Sequence, residues 1–270
     1  MDSSLAKGLK NQLFRELSEE IDIVIERFTK YHYESKPASS RLKWEDFCKG
    51  IYEILGPYLL TKYKGGSKRK PFLCVATFEN ERRQYSSWEE NCISSKLIYV
   101  GCNPLWIQAL PIGFATYEHA IQRIFERSYT TESVVKEDFE KVHFVRELAH
   151  APLWAVFWAI TAMTVFKTGE VKSIKIVIPS PNGLLFGEVQ EKFSLRCDIR
   201  TFVAKSQLSS RQLELMILMN DISVKYANSI IPFLLNPYFR QPIYQTQLDE
   251  FFIQTQDLAN ILVAEHGFVI

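Results

Sequence analysis

The feature that most constrains this chain is an uncharged run of sixteen residues, Ala151 to Phe166, which holds Trp154, Phe157 and Trp158. Spanning a bilayer takes roughly 20 apolar residues, and this run is shorter and interrupted by Thr161 and Thr164. It reads as a helix buried inside protein. With 270 residues, 47% of them hydrophobic and 13% aromatic, the chain has ample material for a large core. Only 11 Gly and 11 Pro exclude a collagenous, low-complexity or disordered chain.

Charge is unevenly spread. Residues 1–150 carry 22 basic and 21 acidic side chains, whereas residues 151–270 carry 10 of each. The second part therefore buries more of itself, in its own core or against a partner. A net charge of +1 argues against a basic coat for nucleic acid, while leaving room for a local patch. There is no internal repeat and no Gly/Ser linker, so residues 1–270 read as one domain, with 1–70 as an alternative helical N-terminal subdomain. The five cysteines (48, 74, 92, 102 and 197) lack the spacing of a zinc knuckle or redox pair and read as reduced thiols. No basic leader followed by an apolar stretch opens the sequence, which places the protein in the cytoplasm with no transmembrane segment.

Periodicity supplies the elements. Leu5, Leu9, Leu13, Leu17, Ile21, Val24, Phe28 and Tyr31 recur at spacings of three and four, predicting a long amphipathic helix over 4–33 capped by Ser3 or Ser4. A second helix runs from Trp44 to Leu55 and breaks at Gly56-Pro57. Residues 72–78, 97–101, 173–179 and 198–204 are rich in β-branched and aromatic side chains and read as strands. Helices are expected over 115–128, 133–150, 152–167, 209–230 and 245–263. Three of them fall between the second and third strands, so the pattern is not a regular doubly wound repeat. The fold class is α/β or α+β: a mixed sheet of about four to five strands flanked by many helices.

Four features are candidates for function. Lys62, Lys64, Lys68, Arg69 and Lys70 surround Gly65-Gly66-Ser67 in a loop expected to lead from helix to strand, with no acidic residue between Glu53 and Glu79. Lys64, Lys68, Arg69 and Lys70 suit phosphates of a nucleotide or nucleic acid, although the spacing is not that of a P-loop; a solvated loop is the plain reading. On the predicted helix 133–150, Glu140, His143, Glu147 and His150 fall within an arc of roughly 80° and form two Glu-x-x-His steps able to ligate a metal. An apolar side of Val135, Phe139, Val142, Val145 and Ala149 lies roughly 120° away, which makes the stripe a solvated face, with His150 in the last turn where an imidazolium suits the helix dipole.

Gly101-Cys102-Asn103-Pro104 closes a predicted strand where ligand loops gather in sheets with helical crossovers, and a Cys102 nucleophile would take its base from His119 or His143. The ordinary reading is a turn. Finally, residues 226–248 carry a single charge, Arg240, among aromatic and aliphatic side chains, with prolines at 232, 237 and 242 that forbid one continuous regular helix. Phe233, Tyr238, Phe239, Arg240 and Tyr244 are the candidate partner-binding set, since aromatic residues around an Arg resemble interface centres; burial in the core is the alternative.

No Gly-x-Gly-x-x-Gly, His-Glu-x-x-His, Gly-x-Ser-x-Gly or paired deaminase cysteines occur, so the sequence assigns no reaction class, catalytic residue or cofactor. The expectation is a non-catalytic intracellular binding protein, a subunit or adaptor of a larger assembly with a protein partner or a second copy of itself. The alternatives are a metal-dependent phosphate-handling hydrolase or nuclease, and a nucleic-acid-binding protein using residues 62–70.

Overall fold

The computed structural model describes residues 2–35, 41–56, 59–66, 71–85, 88–101, 106–110, 113–128, 139–166, 172–191, 196–235 and 253. Helices α1 (Ser3–Ser35) and α2 (Arg41–Leu55) precede strands β1 (Leu59–Gly66), β2 (Pro71–Tyr85), β3 (Trp88–Gly101), β4 (Trp106–Leu110) and β5 (Gly113–Tyr117). Helices α3 (Glu118–Ser128), α4 (Phe139–Glu147) and α5 (Ala151–Phe166) follow, then β6 (Ser173–Ser180), β7 (Gly183–Gln190), β8 (Arg196–Ala204) and helix α6 (Ser210–Leu235). Helices on a mixed sheet make this an α/β protein, with eight strands among the described residues rather than four or five.

The four segments expected as strands lie within β2, β3, β6 and β8. β1 is masked in the sequence by Lys62, Lys64 and Gly65-Gly66, and β5 by being buried at all five positions, which leaves no alternation to read. The helix expected from residue 115 accordingly starts at Glu118. The strand order is β1-β2-β3-β5-β8-β7-β6, with β4 paired to β3. β5 and β8 run parallel, and the other pairs are antiparallel.

α5 is the uncharged run. Every residue from Ala151 to Ala159 is buried, as expected of a helix that is apolar on all sides. It packs on β5, β6, β7, β8 and α6. Its two indoles still find acceptors: the Trp158 N–H donates to the Val177 carbonyl at 2.7 Å and the Trp154 N–H to Ser223 Oγ at 2.8 Å. α6 touches both β1 and β6, the two ends of the strand order, so the sheet curls around this side. Ser209 and Gln212 form a reciprocal capping box at its start. α6 continues as helix through Pro232 to Leu235, further than the prolines of this region suggest.

α1 lies against α3 and buries Leu9, Leu13, Leu17 and Phe28. Its cap is Asp2 rather than Ser3 or Ser4: Asp2 Oδ1 accepts the Ser4 N–H at 2.6 Å, leaving the Ser3 hydroxyl to donate to Glu126 at 2.7 Å. Lys10 pairs with Glu118 at 2.5 Å and Lys141 with Glu16 at 3.2 Å, so α1 is tied down by charge as well as by apolar area. α2 ends at Leu55, followed by Gly56 at φ 46°, the left-handed conformation favoured just past a helix end. Among the described residues no helix is long and apolar enough to cross a membrane.

Strand alternation separates two faces. Ala76, Phe78, Ile93, Phe114, Cys197, Ile199, Ile174 and Ile176 point into the main core with α1 and α3–α6. On the outer face, Leu73, Val75 and Val100 are covered by Phe47, Cys48, Ile51 and Leu55 of α2 in a second core. Farther along that face, Ala115 and Tyr117 of β5 are buried with Cys92, and beyond them Asp198 of β8, Glu188 of β7 and Lys175 of β6 put charge on the outward side.

Candidate functional site

The site begins in β8, where Arg196, Asp198 and Arg200 alternate with Cys197 and Ile199 of the core. Antiparallel pairing sets Asp198 opposite Glu188 of β7, and Glu188 opposite Lys175 of β6. The charges therefore stand in a row across three strands. Between Phe186↔Thr201 and Gly187↔Ile199 the register slips by one, which makes Arg200 the extra residue of a β-bulge. A bulge re-aims the side chain it carries. It also brings the strands close: a Cβ on Gly187 would lie 2.1 Å from the Asp198 carbonyl oxygen, so only glycine fits there.

Arg200 points into an open cleft of about 500 Å³ that it shares with Tyr117 at the end of β5, His119 in the first turn of α3, Glu90 of β3 and Lys175. Its guanidinium carbon sits 3.6 Å from the Tyr117 ring centroid, a cation–π contact. Nη1 is 3.5 Å from Glu90 and Nη2 is 3.9 Å from Asp198. The neighbouring carboxylates are held more tightly. Asp198 accepts from Arg196 Nε at 2.7 Å, while Glu188 accepts from Lys175 at 3.0 Å and from the Gln190 amide at 2.7 Å. The charges are layered. Lys175 is 65% exposed above Glu188 at 10%, and Arg200 is 25% exposed above Asp198 at 2%.

This constellation was not among the sequence candidates. The readable signal was the alternation Arg196-Cys197-Asp198-Ile199-Arg200, charge on one side and core on the other. Nothing in the sequence brings Glu90, Tyr117 and Lys175 to it, because that depends on the pairing of five strands.

The basic segment 62–70 is no helix-to-strand loop. Lys62 and Lys64 lie in β1, which turns back antiparallel into β2, with Gly66 paired to Pro71. Lys64 is exposed, its ammonium 5.6 Å above the Tyr52 ring of α2. Lys68, Arg69 and Lys70 lie outside the described residues.

The Glu/His stripe is split by the fold. α4 spans only Phe139–Glu147; it buries Lys141, Phe144 and Glu147, with Leu148 buried in the turn after it, and leaves Val142 exposed like Ala149 of that turn, so the buried side is not the apolar side read from the sequence. Glu147 is not on a solvated face: it accepts the Ser180 hydroxyl and, at 2.5 Å, the Asn182 amide, both from the β6–β7 hairpin. These two donors are what make a buried carboxylate tolerable there. His143 is half-buried, and burial together with nearby Arg146 holds its imidazole below the usual pKa against the pull of Glu147. His150 follows α4 instead of closing it, and its carbonyl accepts the Trp154 N–H at the start of α5, where an imidazolium gains nothing from the dipole. Burial pushes its pKa down. The Glu140 side chain lies outside the described set, within which no three His, Cys, Asp or Glu side chains converge on a metal position.

β3 ends at Gly101 and pairs antiparallel with β4, so the strand end at Cys102 is not a helical crossover; Cys102, Asn103 and Pro104 themselves are outside the described residues. Cys48, Cys92 and Cys197 are buried and form no disulfide, and burial pushes the Cys48 thiol up to about 11. Phe233 lies in α6 with its side chain undescribed, and Tyr238, Phe239, Arg240 and Tyr244 fall outside the described residues. No protein-family model matches the chain, and comparisons with curated proteins and with solved structures found no match.

Proposed function

We propose that this chain works by binding another protein, as a subunit or adaptor of a larger assembly, and that the cleft around Arg200 is where the partner sits. The observation carrying this reading is the layering of the cleft, with cations outward over carboxylates that are already bonded. Asp198 and Glu188 are committed to Arg196, Lys175 and Gln190, which fixes the cations in place before a partner arrives. Such preorganisation serves recognition, because ordering costs on binding are reduced. Residues 226–248 are a second candidate for the same role; α6, which holds residues 226–235, exposes Ile217, Leu218 and Val224 before them.

The test is native mass spectrometry of tagged protein purified gently from its own source. Wild type should carry a stoichiometric protein partner, and Arg200→Ala should lose it while its thermal midpoint stays within a few degrees. If that variant retains the partner and Phe233→Ala, Tyr238→Ala or Phe239→Ala releases it, the contact lies in 226–248 instead. Wild-type protein that carries no partner across preparations would overturn the reading.

A further inference from the structure

Resting on the cleft reading above, we infer that the part of the partner held there is an acidic segment, bound through a side-chain carboxylate to Arg200 and Lys175. The cleft has two partly exposed cations, Lys175 and Arg200, with the nearly buried Glu188 and Asp198 beneath them. An incoming group meets Lys175, at 65% exposed, before it reaches Arg200 and Glu90, which are exposed to a similar degree at 25% and 23%. Arg200 sits over the Tyr117 ring with Nη2 buried beside Asp198, so an incoming carboxylate would meet it at Nη1, the atom now 3.5 Å from Glu90. Its contact with Glu90 is long, at 3.5 Å, and Glu90 is the most exposed carboxylate of the group at 23%. Glu90 thus stands where the partner's carboxylate would compete, and it acts as an internal stand-in for that carboxylate.

A polyanion such as nucleic acid is the poorer fit. Glu90 and Glu188 line the cleft in equal number to Lys175 and Arg200, so it offers no continuous basic track for phosphates, and a single carboxylate exchanging with Glu90 leaves its charge balance unchanged.

The experiment measures fluorescence anisotropy of labelled hexaglutamate, hexalysine and a single-stranded oligothymidylate against the full chain at low ionic strength. Hexaglutamate should bind in a salt-sensitive way. Arg200→Ala should weaken it about tenfold or more, the loss of one charged hydrogen-bonding group. Lys175→Ala, at a side chain exposed enough to leave folding intact, should weaken it several-fold. Glu90→Gln should tighten it, since the internal competitor loses its charge. Binding of hexalysine in place of hexaglutamate, or of the oligothymidylate alone with steep salt dependence, overturns the acidic assignment. If none of the three binds while Arg200→Ala still strips the native partner, the acidic inference falls and the protein-binding reading stands. If none binds and the partner is retained, both fall.

Discussion

The outer face of the sheet treats its two halves differently. Over β2 and β3 the outward Leu73, Val75 and Val100 lie under α2; over β8, β7 and β6 the outward Arg200, Glu188 and Lys175 line an open cleft, with Asp198 nearly buried beside Arg200. Both halves obey the same alternation, so the difference lies in what stands at the outward positions. An apolar outward row requires a cover. A row of paired charges does not, and where it is bulged and glycine-tightened it becomes a place for something else to bind.

The largest expected effect tests that division directly. Phe47 is 2% exposed between Tyr31 and Trp44, stacked on both, and Phe47→Ala should cost about 3–5 kcal/mol in urea unfolding. The same truncation at half-buried Phe186, which lines the cleft, should cost about 1 kcal/mol. Equal losses would mean that the two halves carry stability alike and that the comparison is mistaken.

Next comes the bulge. An alanine methyl at Gly187 falls on the Asp198 carbonyl, a backbone atom that has no room to retreat, so Gly187→Ala should cost about 1–3 kcal/mol. It should also weaken hexaglutamate as Arg200→Ala does, because Arg200 loses its aim. Gly8→Ala is the control: it sits in α1 with nothing within 4 Å, and should add about 0.5–1 kcal/mol by helix propensity.

Acid sharpens the contrast between apolar cover and charged clamp. At Glu118 and Glu126 burial favours the neutral form, but Lys10 with Asn91 at the first, and Ser3, Gln122 and Arg123 at the second, outweigh it and hold both carboxyls below their usual 4.5. A folded-state pKa below the unfolded one gives stability that is complete above about 4.5 and is lost as pH falls through the lowered value. Lys10→Met should therefore cost about 1–2 kcal/mol at neutral pH and flatten the fall of the thermal midpoint between pH 5 and pH 3. An unchanged acid slope would show that the α1 clamp is not its source.

The fold was more legible in the sequence than the site. α5 was visible as an uncharged run and α2 as a periodic stretch ended by Gly56-Pro57, because burial and chain punctuation are local signals. α4 was misphased because its apolar residues offer two stripes, Val142-Val145-Ala149 and Phe144-Leu148, and only the β6–β7 hairpin, by supplying Ser180 and Asn182 to Glu147, decides which one turns inward. The cleft was hidden for a related reason. Ala115 and Asp198 are neighbours across a parallel pair, yet 83 positions separate them in the chain, and no pattern within one strand announces that contact.

The smallest effect on stability is expected at Lys175, and it separates structure from function most cleanly. Its ion pair with Glu188 is largely solvated on the lysine side, and such pairs contribute at most about 1 kcal/mol. Glu188 keeps the Gln190 amide at 2.7 Å when the lysine is removed, so its nearly buried carboxylate is not left bare. Lys175→Ala should therefore unfold at nearly the wild-type urea concentration while losing several-fold in affinity for hexaglutamate. Restoring the charge two positions away, with Ser173→Lys in the Lys175→Ala background, should not recover the affinity, because exposed Ser173 stands opposite Gln190 rather than Glu188. Recovery there would mean that the cleft responds to net charge alone, and that the order Lys175 over Glu188, Arg200 over Asp198 carries no recognition.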